Sequence, residues 1–121
     1  GDFARTIKHM VELGLYDKRL LTYTEEELNQ ISQLIDLSRD MVYDYAGANM
    51  LVNRYLIKHD GKTYELPQET FMAISMMLAL NEKEGETRVN IVKEFYNALS
   101  LRKLSLATPI LANLRIPNGN L

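Results

Sequence analysis

Residues 67–80 read Pro67-Gln-Glu-Thr-Phe-Met-Ala-Ile-Ser-Met-Met-Leu-Ala-Leu80. Pro67 suits the first turn of a helix, because the amide hydrogen that proline lacks has no partner there anyway. From Phe71 to Leu80 the residues are apolar on nearly every side, apart from Ser75. A helix of this kind is buried on most of its surface. These residues are therefore expected to form a helix in the core of the molecule.

Four more helices and one hairpin are predicted on either side of this segment. Apolar residues at helical spacing indicate helices from Asp2 to Leu13, from Met41 to Tyr55 and from Thr87 to about Ser100. In the first helix Phe3, Ile7, Met10 and Val11 form one stripe, and Gly14 fits the stop position. Another helix starts at Thr24-Glu-Glu-Glu27, which has the pattern of a capping box. Asp60-Gly61 lies between two β-favouring runs and predicts a β-hairpin.

The predicted fold is mainly α, with about five helices around one core, one β-hairpin and an extended C-terminal strand and loop segment. Residues 1–100 would form the helical domain and residues 101–121 the extended segment, in which Thr108-Pro109 breaks any regular pattern. The last helix carries two apolar stripes, one of Val89, Val92, Tyr96 and Leu99 and a second of Ile91, Phe95 and Ala98. We therefore expect it to be buried against more than one neighbour. The residues expected to contribute most to the core are Ile7, Leu34, Tyr45, Ile74, Leu78, Val92 and Phe95.

Length and composition exclude several functional classes. A chain of 121 residues is enough for one domain. It contains no cysteine and only two histidines, so disulfides, thiolate metal sites and cysteine nucleophiles are excluded within these residues. The net charge of −2 gives no basis for nucleic-acid binding. The longest apolar run has ten residues, whereas a membrane span needs about 20.

The charged residues have ordinary structural explanations. The acidic run Glu25–Glu27 could suggest a metal site, but carboxylates in a first helical turn complement the helix dipole, and we interpret it as a cap. Residues 101–121 carry a charge of +3 and the first 100 residues carry −5. A basic tail could meet a phosphate or an acidic partner, although three charges can also fall together by chance.

Three strings near the end of the chain carry a family resemblance. They are Phe95-Tyr-Asn-Ala-Leu-Ser100, Leu104-Ser-Leu-Ala-Thr-Pro-Ile110 and Ala112-Asn-Leu-Arg-Ile-Pro117. In their order they resemble the large (alpha) subunit of ribonucleotide reductase, the class I ribonucleoside-diphosphate reductase. That family has a helix ending in F-Y-x-A-x-S, a strand with S-L-x-T-P and an R-x-P turn. Further strings extend the resemblance over essentially the whole chain: Val11–Asp17, Tyr23–Glu27, Arg39–Met41, Tyr45-Ala46, Tyr55-Leu56, Lys58, Tyr64-Glu65, Pro67-Gln68 and Glu86–Arg88.

The resemblance implies a place in a larger enzyme. Residues 1–100 would be the helical N-terminal domain of the subunit, and residues 101–121 the first strand of its ten-stranded α/β barrel with the following loop. The whole enzyme would convert ribonucleoside diphosphates to 2′-deoxyribonucleoside diphosphates by a thiyl-radical mechanism for DNA synthesis. Thr108 matches the threonine of S-L-x-T-P and would bind the substrate phosphates through its hydroxyl or amide.

The implied partners lie outside this chain. They are the remainder of the large subunit, a radical-generating small subunit that contains the metal, a dithiol reductant and the ribonucleoside diphosphate, in the cytoplasm. The family's chemistry needs a thiyl-radical cysteine and a redox cysteine pair, and this chain has no cysteine. The regulatory cone that precedes the matched region in many members is also absent. We therefore expect an inactive fragment with no catalytic residue, cofactor or metal of its own.

An alternative is a free-standing helical protein-interaction module with no catalytic role. Met72, Met76 and Met77 could form a soft binding surface, and the apolar tail could mark a partner site. Such a module should be a monomer with a self-contained tail. A reductase fragment should instead restore activity when it is mixed with the missing remainder.

Overall fold

A computed structural model describes residues 2–40, 58–59, 62–63 and 65–102. The described part of the chain is mainly α, as predicted. Its helices with described bounds are α1 (Asp2–Glu12), the 3-10 helix (Lys18–Thr22), α2 (Glu25–Leu34), α3 (Pro67–Leu78) and α4 (Glu86–Arg102), and residues 38–40 are helical as well. Within these residues, no helix has the length and apolarity that crossing a membrane requires.

Two short strands lie where the sequence predicts the hairpin. β1 (Lys58–His59) pairs antiparallel with β2 (Lys62–Thr63), with Lys58 opposite Thr63 and His59 opposite Lys62. Three other predictions lie outside the described residues: the helix over 41–55, the core position Tyr45, and the strand and loop that follow Arg102.

Helix α3 is the most deeply buried helix of the described part. Its fully buried side chains confirm the prediction that it lies in the core: Met72, Ala73, Ile74, Ser75, Met76 and Met77. The hydroxyl of Ser75 donates to the carbonyl of Phe71 at 2.7 Å, which satisfies this polar group in the core. Leu78 is 38% exposed, so its assignment to the core is wrong. It is the last residue of α3 and lies close to the exposed turn over residues 81–84.

Helices α1 and α2 have the ends that their sequences predict. Of the predicted stripe of α1, Phe3, Ile7 and Met10 are buried and Val11 is partly buried. Gly14 lies two residues after the end of α1 and has a φ of 75°. The amide of Gly14 donates to the carbonyl of Val11 and that of Leu15 to the carbonyl of Met10, both at 2.9 Å. These two bonds form the Schellman motif. In α2, the Thr24 hydroxyl accepts from the amide of Glu27, and the Glu27 carboxylate accepts from the amide of Thr24.

Helix α4 buries one apolar stripe and covers the second only in part, at Ile91. The buried face confirms the first predicted stripe: Val89, Val92, Tyr96 and Leu99. Phe95 is 37% exposed, so the prediction that it is a core residue is wrong. The expectation that this helix is buried against more than one neighbour is confirmed, because α4 packs against both α2 and α3. Adjacent residues on a helix point about 100° apart. Since α2 and α3 are the helices that pack against α4, they cover the Tyr96 side and not the Phe95 side. Leu34 of α2 is only partly buried against the same core.

Candidate functional site

Thr108 lies outside the described residues, and so does the strand that the sequence predicts around it. The described residue nearest to it in sequence is Arg102, the last residue of α4. The described part closest to Thr108 in sequence is therefore α4 near Arg102, with the side chains that hold it.

A group of hydrogen-bonded side chains surrounds the end of α4, and we call it the Gln68 cluster. Gln68 belongs to the first turn of α3, and its partners come from the last part of α4 and from the segment after α2. The members are Asp36, Arg39, Asp40, Gln68, Tyr96, Asn97 and Ser100. The cluster thus joins three parts of the chain that are separated in sequence.

The amide of Gln68 is the centre of this cluster. Its Oε1 accepts from the hydroxyl of Tyr96 and from that of Ser100, both at 2.6 Å. Its Nε2 donates to a carboxylate oxygen of Asp40 at 3.1 Å. Gln68, Tyr96 and Ser100 are all buried. Because the oxygen and the nitrogen have different partners, only one orientation of the amide satisfies the cluster.

Arg39 ties the segment after α2 to the same end of α4. Its Nη1 donates to the Ser100 hydroxyl at 3.1 Å and to Oδ1 of Asn97 at 3.2 Å. Its guanidinium carbon lies 5.2 Å from the centroid of the Tyr96 ring, within range of a cation–π contact. The Tyr96 hydroxyl also accepts from the amide of Asp36 at 2.9 Å. Burial raises the pKa of Tyr96, so this phenol stays protonated and keeps its role as a donor near neutral pH.

The side chains of the Gln68 cluster are suited to anchoring neighbouring parts of the chain. A cleft of about 630 Å³ lies beside the Gln68 cluster and is lined by residues 33–37 with Arg39, Lys93 and Asn97. Arg39 and Asn97 are already bonded within the cluster. Among the described residues there is no group of three or more His, Cys, Asp or Glu side chains that could hold a metal ion. The bonded side chains of the cluster can fix the position of a chain segment.

The start of α4 is held by a second buried group around Glu27 and Arg88. Nε of Arg88 donates to Oε2 of Glu27 at 2.8 Å, and Nη2 donates to Oε1. The same carboxylate accepts from the amide of Gly85 at 3.0 Å and from that of Thr24 at 2.9 Å. Burial by itself would raise the pKa of Glu27, but these hydrogen bonds outweigh it and lower the pKa to about 2. The guanidinium of Arg88 also lies over the Tyr23 ring, 4.1 Å from its centroid.

Sequence patterns indicate only some of these contacts. The capping role of Glu27 is predicted, and the structure confirms it, whereas no pattern assigns a role to Arg88, Gln68 or Ser100. A helical pattern cannot pair residues 61 positions apart, which is the separation of Glu27 and Arg88. The available signal was the family resemblance, since Gln68, Arg88 and Ser100 all lie in strings that carry it.

Comparison with known proteins identifies a family. A family model described as the ribonucleotide reductase all-alpha domain matches residues 41–119. The chain is 43% identical over all its 121 residues to ribonucleoside-diphosphate reductase subunit alpha of Synechocystis sp., covering 15% of that protein. It is 42% identical over 111 residues, 89% of this chain and 14% of the relative, to ribonucleoside-diphosphate reductase 1 subunit alpha of Escherichia coli.

A viral relative is similar to the same degree. The ribonucleoside-diphosphate reductase subunit alpha of Enterobacteria phage T4 is 42% identical over 118 residues, which is 95% of this chain and 15% of that protein. The chain thus spans about one seventh of the length of the relatives that it matches.

Proposed function

Because the chain belongs to the ribonucleotide reductase family, as the all-alpha domain of the large subunit, we propose that it works as part of a class I ribonucleoside-diphosphate reductase. The observation that carries this proposal is the 43% identity with a reductase alpha subunit over the whole chain. The complete enzyme would reduce ribonucleoside diphosphates to 2′-deoxyribonucleoside diphosphates by a thiyl-radical mechanism.

The rest of the machinery would come from outside these residues. This chain has no cysteine, so the radical and redox cysteines would belong to the remainder of the large subunit, which contains the barrel. A small subunit would generate the radical with its own metal, and a dithiol would supply the reducing electrons. By the same family relationship, the assembled enzyme would work in the cytoplasm.

Within that enzyme we propose two roles for this chain. Residues 1–100 would form a helical support for the barrel, and residues 101–121 would form the first barrel strand and its loop. Thr108 would contact the substrate phosphates, because a hydroxyl and an oriented amide are good donors to phosphate oxygens. Pro109 would fix the backbone beyond it.

The test uses the full-length large subunit that contains this sequence, assayed with its small subunit and a dithiol. Thr108→Ala should raise the KM for a ribonucleoside diphosphate about 10- to 100-fold, since a hydrogen bond to a charged group contributes about 1.5–3 kcal/mol. Thr108→Ser keeps the hydroxyl and should stay close to the parent. Thr87→Ala removes a threonine hydroxyl from an exposed position on α4 and is the matched control.

Two negative results would mean different things. A KM that does not change in Thr108→Ala would refute the phosphate contact and leave the family function in place. A full-length parent that reduces no ribonucleoside diphosphate would refute the enzymatic proposal. It would favour the alternative of a helical interaction module.

A further inference from the structure

We propose that the outward apolar side of α4 is a docking surface for the remainder of the large subunit, the part of that polypeptide that lies outside these 121 residues. The surface consists of Ile91, Phe95, Ala98 and Leu101, and we call it the Phe95 face. The choice of partner rests on the proposed function, whereas the surface rests on the described side chains alone.

The Phe95 face runs along most of α4. Its members follow one another at intervals of four, three and three residues, so they share one side of the helix over about 15 Å. Phe95 is 37% exposed and Leu101 is 63% exposed, Ala98 is exposed, and Ile91 is partly buried. Single apolar side chains are common on protein surfaces, whereas a contiguous group of them marks an interaction site.

The helices that pack on α4 occupy its other side. Val92, Tyr96 and Leu99 are buried, and α2 and α3 are the helices that pack there. Phe95 points about 100° away from its neighbour Tyr96. The core of this chain therefore uses a different side of α4, and the Phe95 face is free to meet a partner.

The length of the relatives identifies that partner. The chain covers 15% of the Synechocystis relative and 14% of the Escherichia coli relative, so more than four fifths of each polypeptide lies outside the matching region. A partner in the same polypeptide is always present, and permanently joined surfaces are more apolar than transient ones. A face of aliphatic side chains and one phenylalanine suits a permanent contact of this kind.

The charges next to the Phe95 face do not select a strongly charged partner. Lys93 and Glu94 directly precede Phe95 on α4, are both exposed and have opposite signs. Recognition of a nucleic acid needs a cluster of basic side chains. The apolar side chains are thus the main feature that a partner could recognise on this side of α4.

The first experiment places a photoreactive side chain on the face in the full-length large subunit. Phe95 is replaced by p-benzoylphenylalanine, which keeps an aromatic ring at this position. The same substitution at Asn90, which is exposed on α4 outside the face, is the matched control. After illumination, a denaturing gel separates cross-links within one subunit from those between chains, and mass spectrometry identifies the joined peptides.

The second experiment measures the coverage of the face with a small substitution. Ala98 and Asn90 are both exposed in this chain, so Ala98→Cys and Asn90→Cys form a matched pair. Their alkylation rates in the full-length subunit are followed on the separated peptides, because the whole subunit would contain other cysteines. Ala98→Cys adds only one sulfur atom, so it tests the face even if the larger side chain at position 95 disturbs the fold.

The expected results differ between the face and the control position. Photoproducts from position 95 should join α4 to peptides of the same subunit that lie outside these 121 residues, and position 90 should give none of them. Ala98→Cys should be alkylated at least about tenfold more slowly than Asn90→Cys, because a covered thiol reacts only through local opening. In denaturant the two rates should be equal.

Other occupants of the face would overturn the proposal. Photoproducts confined to this chain's own residues, to a second copy of the subunit or to the small subunit would each do so. Equally fast alkylation of Ala98→Cys and Asn90→Cys in the folded subunit would show that nothing covers the face. A subunit that gives the expected photoproducts but reduces no ribonucleoside diphosphate would support the docking surface and refute the enzymatic proposal.

Discussion

Glu27 shows how one side chain can serve a local and a distant purpose together. It completes the capping box of α2 and also receives two hydrogen bonds from Arg88 at the start of α4. A buried ion pair stabilises a protein only when its geometry is good and its remaining polar atoms are satisfied. Here both carboxylate oxygens have further backbone donors, from Thr24 and Gly85. The pair therefore fixes how α2 and α4 meet.

This arrangement gives a pH dependence with a definite sign. The pKa of Glu27 is about 2 in the folded chain, against an ordinary value of 4.5, so the folded state binds fewer protons between these values. Its stabilisation is present in full above pH 4.5 and is lost as the pH falls through 2. The loss should be on the order of 3 kcal/mol.

Urea unfolding of this chain at pH 7, 4.5 and 3 measures the effect. Glu27→Gln should be less stable at pH 7 and should lose less stability on acidification, because it lacks the group that titrates. Equal losses in the parent and in this variant would show that Glu27 is not the group responsible.

Truncation of the neighbouring residues Phe95 and Tyr96 to alanine should lower the free energy of unfolding by very different amounts. Tyr96 is buried and bonded to Gln68, whereas Phe95 is 37% exposed. Truncation of a buried aromatic residue costs about 3–5 kcal/mol, and we expect this for Tyr96→Ala. Phe95→Ala should cost about 1 kcal/mol, in the range of ordinary substitutions. Urea unfolding of the two variants measures both losses of free energy. Equal losses would mean that the Phe95 side chain is buried.

Elements whose ends are set by local chemistry could be predicted from the sequence. The capping box at Thr24 and the stop at Gly14 each depend on residues within a few positions, and both are confirmed. The face that α4 buries could be predicted only in part, since two apolar stripes look alike in a sequence. Which stripe is covered depends on where α2 and α3 pack, and this is a property of the tertiary structure.

The end of α1 offers a test of local backbone chemistry. Gly14 has a φ of 75°, and a Cβ built there would meet nothing within 4 Å. The cost of Gly14→Ala is therefore the conformational cost of a left-handed residue, about 1–2 kcal/mol. Gly14→Asn should cost less, because asparagine tolerates this region. Thermal unfolding of the two variants measures these costs. A Gly14→Ala variant as stable as the parent chain would contradict the left-handed conformation of this residue.

For the molecule as a whole, the Gln68 cluster and the Glu27–Arg88 pair show why the site of this protein is hard to predict from residue patterns. The buried polar side chains join residues about 30 to 60 positions apart, such as Gln68 with Tyr96 and Glu27 with Arg88. Neither pairing has a local signature. The one residue assigned to the substrate, Thr108, came from the family resemblance and lies outside the described residues. The helices were predictable from periodicity, whereas the site was not.

The proposed division of roles predicts that activity depends on joining this chain to the rest of the subunit. The 121 residues alone should reduce no ribonucleoside diphosphate, because they contain no cysteine to carry the radical or the reducing electrons. A second polypeptide that starts after residue 121 should also be inactive, since it lacks the first barrel strand and Thr108.

Co-expression of the two pieces should restore reduction of ribonucleoside diphosphates in the presence of the small subunit and a dithiol. Thr108→Ala in the short piece should raise the KM of the reassembled enzyme, as expected for the intact subunit. The exposed variant Thr87→Ala should reassemble with the parent KM. If the longer piece reached full activity alone, this chain would be dispensable for the chemistry, and its role would be confined to contacts with other proteins.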